Sequence, residues 1–278
     1  MRRLPCLLLL LGLCVPAGAD EDLEFVKKTA ERLESIDLSP AAERQVGLGM
    51  AERVLGATPP VEDEEVQRYV NRVGRWVAEQ SSRPDLDWTF AVVDSPAVNA
   101  YAAPGGHVFI TLGLFLLLES EAELAVILGH EIAHVTERDH LEALKTQLAL
   151  GVVQDLLQSE GVEGIDDATL DQLVLAGVSL YAIGLAREDE LNADRIGIVL
   201  AARAGYDPWA LLITLTLLEA LNPAAPAMSL HSSTHPPPQV RRALVQNQLD
   251  NQFDLDDPGV QGRARFAQMR DRLSAARE

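Results

Sequence analysis

The chain has 278 residues, 47% of them apolar and 5% aromatic, enough for a sizeable core built mainly of Leu, Ala and Val. Its formal charge of −19 argues against nucleic acid or an anionic membrane surface as partner. Its two cysteines, Cys6 and Cys14, are too few for a disulfide-stapled fold.

Residues 1–19 carry basic Arg2 and Arg3, a short apolar run from Leu7 to Leu13, and the small residues Ala17-Gly18-Ala19. That pattern predicts a cleaved secretory signal peptide, and the run is too short for a membrane span. A lipoprotein signal with Cys14 as the lipidated residue is disfavoured, because Leu13 stands where a small residue is wanted. Cleavage after Ala19 removes both cysteines and two arginines, leaving 21 basic against 42 acidic residues and a charge of −21. The expected location is therefore outside the cytoplasm, with stability supplied by the core alone. No later segment is long enough to cross a membrane; the best, LVLAGVSLYAIGLA at 173–186, falls short.

Helical apolar spacing marks DLEFVKKTAERLESI at 22–36 and PAAERQVGLGMAERVL at 40–55. Residues 59–80 begin with prolines, continue with acids and then show an apolar stripe, as a helix with a favourable dipole would. From Asp87 the pattern changes to short strands. DWTFAVVD and AVNAYAAPGGHVFIT, with a Pro-Gly-Gly turn at 104–106, predict a small antiparallel sheet. Helices then follow at 121–138, 140–158, 167–185, 187–204 and 207–221. A Pro/Ser/Ala-rich loop at 222–238 holds His231 and His235, and two more helices finish the chain. The order predicts an α+β fold, mostly helical.

The chemistry concentrates in GHEIAH, residues 129–134. Residues four apart on a helix differ by about 40° around the axis and about 6 Å along it. His130 and His134 can therefore reach one metal ion, while Glu131 can take a proton from a water that the cation acidifies. His140 offers a competing third ligand. Glu137 is a good helix former, however, and a helix continued through it would carry His140 about 15 Å along the axis from His130. A surface or capping role is then expected for His140. Downstream, AREDELNADRIG places Glu190 and Asp194 four apart on one face. A Glu there would complete a two-His-one-Glu site, with the Asp holding a ligand ring or a proton nearby. Spacing alone does not choose Glu190 over Glu188.

GHEIAH followed by ELNAD resembles the zinc metalloendopeptidase family that includes HtpX, the CAAX prenyl endopeptidase and periplasmic BepA. NAYAAPGG at 99–106 and STHPP at 233–237 add to the resemblance, which spans roughly residues 40–247. It implies a zincin-like metalloprotease domain over 20–250, with a C-terminal helical tail at 251–278. It implies one zinc ion held by His130, His134 and Glu190, with Glu131 as general base. Asp194 would orient the site. His235 would act on the oxyanion or cap the open metal position. Asn99, Gly105, Gly106 and His107 would bind substrate; beside the resemblance, the edge of the strand after Gly106, if near the metal, can pair with an extended peptide through main-chain hydrogen bonds. The implied partners are unfolded or unassembled envelope proteins in the periplasm. The chain departs from the family where Asp139 precedes His140, and it lacks the membrane helices of HtpX. A chaperone-like binder with a latent zinc site is the alternative, and the intact Glu131 weighs against it.

Overall fold

A computed structural model describes residues 39–149, 167–254 and 259–275. The expected signal peptide, both cysteines and the helix at 22–36 lie outside these residues, as does the end of the helix expected at 140–158.

Helix α1 (Pro40–Ala57) starts where Ser39 Oγ accepts the Ala42 N–H and Pro40 needs no partner. Helix α2 (Glu64–Ala78) starts at Asp63, whose carboxylate accepts from Glu65 and Val66. Glu64 and Glu65 in its first turn and Arg75 in its last complement the dipole, as the sequence predicts. Its buried face of Val66, Val70, Val73 and Val77 covers the sheet.

The sheet holds β1 (Thr89–Val93), β2 (Ala100–Ala103) and β3 (His107–Thr111) in the order β1-β3-β2. It is mixed, not antiparallel as expected. The Pro-Gly-Gly turn does make an antiparallel hairpin of β2 and β3, with Gly105 and Gly106 at φ 81° and 104°. The chain leaving β1 crosses beyond β3 before β2 begins, so β1 runs parallel to β3 on its far side. Strand β3 is thus central and has no free edge. The outer edge of β1 is closed by amide side chains from α2. Gln67 Nε2 donates to Val92 O at 2.8 Å while Gln67 Oε1 accepts Val92 N–H at 3.0 Å. One turn on, Asn71 makes the same pair of bonds to Phe90. The Val61 N–H adds a bond to Val92 O.

After α3 (Leu112–Leu117), α4 (Glu121–Glu137) runs through the centre of the molecule. Ser120 and Glu123 form a reciprocal cap at its start. Leu124, Leu128 and Ile132 are fully buried, each worth about 2 kcal/mol of apolar burial. The remaining helices are α5 (Asp139–Ala149), α6 (Asp167–Ile183), α7 (Arg187–Arg203) and α8 (Ala210–Ala220). They are followed by α9 (Ser229–Thr234), α10 (Pro238–Gln252) and α11 (Arg263–Ala275). The segment 222–238, expected as a loop, contains a 3-10 turn at Pro226–Met228 running directly into α9. Phe266, Met269 and Leu273 of α11 join the main core, so this helix is part of the body. Its Arg265 forks onto Glu121, which also accepts the Tyr69 and Tyr206 hydroxyls. Among the described residues no single helix is long and apolar enough to cross a membrane.

Helices α4 and α7 touch backbone to backbone. A Cβ on Gly129 would fall 2.8 Å from Gly197 O, and one on Gly197 would fall 2.7 Å from His130 N. This crossing brings α7 against the middle of α4. Gly197→Ala is therefore expected to destabilise the fold by ~1–3 kcal/mol and to weaken metal binding. Gly56→Ala, with nothing within 4 Å of the new methyl, should do neither. Thermal unfolding and zinc content of the two variants check this; equal behaviour would refute the close-crossing argument.

Candidate metal centre

His130 and His134 lie one turn apart on α4, and the Gly129–Gly197 crossing brings Glu190 of α7 opposite them. The two Nε2 atoms are 3.1 Å apart. Glu190 Oε2 is 3.6 Å from His130 Nε2, and its Oε1 is 3.5 Å from His134 Nε2. All three side chains are buried, and one ligand atom from each lies within 4.8 Å of the others.

The far side of each ring is also fixed. His130 Nδ1 is 3.0 Å from Asp194 Oδ1, and His134 Nδ1 is 2.7 Å from Asp139 Oδ2. Each carboxylate holds the proton on Nδ1 and leaves the Nε2 lone pair facing Glu190. Two imidazole nitrogens and a carboxylate, converging with both tautomers set, fit zinc. Arg241 of α10 completes the support by forking onto Asp194 at 2.9 and 2.6 Å. Burial opposes the Asp194 charge, but Arg241 and His130 hold its carboxyl far below the usual range.

The acids around the histidines are in excess. Burial alone would lower His134, yet Asp139 and Glu190 push it up to about 10. Burial likewise opposes the Glu190 charge, but His235 and the two ring partners hold its carboxyl well below the usual range. This is the field a divalent cation would neutralise.

A small open cleft lies beside the cluster. Glu131, Asn99, Ala100, Tyr101, Tyr181 and His235 are among its walls. Glu131 is 3% exposed and lies outside the three-residue cluster. His235 reaches in from the end of α9, its Nδ1 2.6 Å from Glu190 Oε2. The buried His231 ring lies beside it, centroids 4.7 Å apart.

Of the residues expected to bind substrate, the structure brings only Asn99 to the cleft, its buried Oδ1 without a hydrogen-bond partner. Gly105 and Gly106 pack against Arg44 and Trp88, and His107 bonds Thr89. They serve the hairpin turn and the central strand and are not among the walls of this cleft. The strand edge that faces the cleft is β2, not β3. Thr111 N–H donates to Asn99 O, so the alternation of an antiparallel pair turns the Ala100 and Ala102 backbone outward. The Tyr181 hydroxyl of α6 donates to Ala102 O at 2.9 Å on that outer edge.

His140 also departs from expectation. Helix α4 stops at Glu137, because Arg138 adopts a left-handed conformation at φ 64° and a new helix begins at Asp139. The chain folds back, and His140 becomes a buried wall of the cleft with its ring 5.9 Å from that of His134. Burial, with His134 nearby, pushes it down to about 3. It stands outside the cluster of His130, His134 and Glu190 that could hold a metal.

Residues 64–248 match the model of peptidase family M48. The chain belongs to that family. It is 30% identical over 222 residues to the beta-barrel assembly-enhancing protease of Escherichia coli (strain K12), covering 77% of this chain and 45% of the relative. It is 29% identical over 186 residues to the mitochondrial metalloendopeptidase OMA1 of Arabidopsis thaliana, covering 66% and 36%. The same protein of Schizosaccharomyces pombe is 29% identical over 237 residues, covering 83% and 63%. The chain thus spans about half the length of the curated relatives it matches. As an M48 chain its cofactor is zinc, and His130, His134 and Glu190 are the cluster able to hold it.

Sequence reasoning missed Asp139 and Arg241. Asp139 carried no signal beyond its place just after the motif helix. Arg241 stands beside Arg242, and spacing does not separate them; Arg242 pairs with Glu219 instead.

Proposed function

We propose that this M48 chain is a zinc-dependent endopeptidase acting on unfolded polypeptide. The observation that carries this reading is the convergence of both Nε2 atoms and the Glu190 carboxylate beside a cleft walled by Glu131. When bound, zinc would acidify a water and polarise the scissile carbonyl. Glu131, on the cleft wall, would take a proton from the attacking water and pass it to the leaving amine. Asp194, Asp139 and Arg241 keep the rings in place. Asn99 and the outward backbone of Ala100 would hold an extended substrate by main-chain hydrogen bonds, which leaves sequence preference weak. Misfolded or unassembled envelope proteins are the proposed substrates. Residues 1–19 as an export signal, residues 20–250 as the peptidase domain and a periplasmic location belong to the same reading. The deciding test is zinc content measured together with cleavage of an unfolded protein, wild type against Glu131→Gln.

A latent, chaperone-like state is the second reading. Two contacts favour it: His235 on the carboxylate of Glu190, and Tyr181 on the outer edge of β2. If His235 caps the site at rest, His235→Ala should raise turnover, by about tenfold where the capped state holds nine-tenths of the molecules. If it stabilises the oxyanion instead, turnover should fall by ~10²-fold. We expect the rise. Initial rates on a casein-like substrate at equal zinc occupancy distinguish the outcomes, and equal rates would place His235 outside the reaction.

A further inference from the structure

A buried ion cluster lies just past the C-terminal end of the metal helix, and one of its three members, Glu43, comes from outside the residues that match the family model. Glu43 of α1 is 1% exposed, and its carboxylate takes two arginines. Arg138 donates from Nε and one terminal nitrogen to Glu43 Oε2 at 3.0 and 2.7 Å. Arg83 donates to Glu43 Oε1 at 2.7 Å and, from the same nitrogen, to Val135 O of α4 at 3.1 Å. Burial opposes the Glu43 charge, and the two guanidiniums hold its carboxyl below the usual range.

Arg138 is also the only described residue other than glycine with a positive φ. A side chain at that position disfavours the left-handed conformation, which helix ends normally give to glycine. Something must hold it there, and the fork onto Glu43 does so. The turn has a specific product. It reverses the chain in one residue and delivers the next side chain, Asp139, to His134 Nδ1 at 2.7 Å.

We propose that the Glu43–Arg83–Arg138 cluster is a positioning device for His134, pinning the left-handed turn that sets Asp139 against the ring. Its role deepens the zinc-site reading: α1, from outside the matched segment, fixes the orientation of a metal ligand it never touches. Glu43, Arg83 and Arg138 are positioning residues, not catalytic ones.

The test uses the full chain and reads zinc affinity in metal buffers, so it does not depend on turnover. Loss of a carboxylate that orients a ligand histidine costs ~10–100-fold in metal affinity. Glu43→Gln should show a loss of that order in the wild-type background. Combined with Arg138→Gly, it should have little further effect, because glycine takes the turn unaided. If Glu43→Gln fails to fold, Arg138→Ala and Arg138→Gly ask the same question. Both remove the guanidinium, but only alanine resists the positive φ, so only Arg138→Ala should lose zinc affinity. The proposal is overturned if Glu43→Gln leaves zinc affinity unchanged, or if it weakens binding equally in both backgrounds. Equal affinities for the alanine and glycine variants would overturn it as well. A chain that binds zinc but cleaves nothing would sink the endopeptidase reading and leave this comparison intact.

Discussion

Glu131→Gln is expected to retain wild-type zinc content and unfolding temperature while losing cleavage of unfolded protein. The amide has the shape of the carboxylate but cannot accept the proton that the water must give up. General-base assistance contributes ~10²–10⁴-fold, so the residual rate should be at most about a hundredth of wild type. Binding should survive because Glu131 is not among the three residues whose ligand atoms converge. Folding should survive because the side chain lines an open cleft, where its neighbours are Asn99, Tyr101 and His134, and an amide of the same shape fills the same space. Zinc analysis and initial rates on protein purified from a protease-deficient host check both halves. A variant that keeps most of its activity would remove Glu131 from the mechanism.

Glu190→Ala and His134→Ala should each lose zinc, and His140→Ala should keep it. Glu190 supplies the only carboxylate of the cluster and approaches both histidines, so its removal leaves two neutral donors. His134→Ala also strands Asp139, a buried acid whose ring partner has gone. Leaving such a group unpaired adds a stability cost of about 3 kcal/mol or more. His140 is buried near the site, yet its Nδ1 makes no hydrogen bond and its ring offers no atom to the cluster. Metal analysis of the three purified variants, with circular dichroism to confirm folding, separates these outcomes. Zinc retained by Glu190→Ala and lost by His140→Ala would establish a three-histidine site instead.

The parts of the site set by local periodicity were legible in the sequence. The four-residue spacing of His130 and His134, and of Glu190 and Asp194, fixes common helix faces whatever the tertiary fold. The helices near 64–78, 121–137, 187–203 and 210–220 follow from apolar spacing in the same way. Long-range geometry was not legible. The sign of the β1–β3 pairing depends on where the chain crosses the sheet, which DWTFAVVD cannot encode. The turn at Arg138 contradicts local propensity, since Glu137 favours helix and arginine disfavours a positive φ. It exists because Glu43, 95 residues away, holds the guanidinium. Arg241 was hidden for a similar reason: its partner Asp194 lies 47 residues back along the chain. The resemblance supplied the choice of Glu190 over Glu188, and its NAYAAPGG segment contains β2, the strand that faces the cleft.

The amide side chains of Gln67 and Asn71 give the sheet a polarity of use. A three-stranded sheet has two rims, and each unsealed rim is a template for a further strand. Here one rim is satisfied by two side chains spaced four apart on a helix, without the length of another strand. Among the described residues that leaves a single rim open to a strand, the outer side of β2, where the Tyr181 hydroxyl meets only Ala102 O. For strand addition the described sheet is therefore monovalent. If the β2 rim takes extended polypeptide as proposed, a chain that offers no second rim cannot link captured strands into a growing stack. Copies of it crowded around an unfolded protein would each terminate a strand array rather than propagate one.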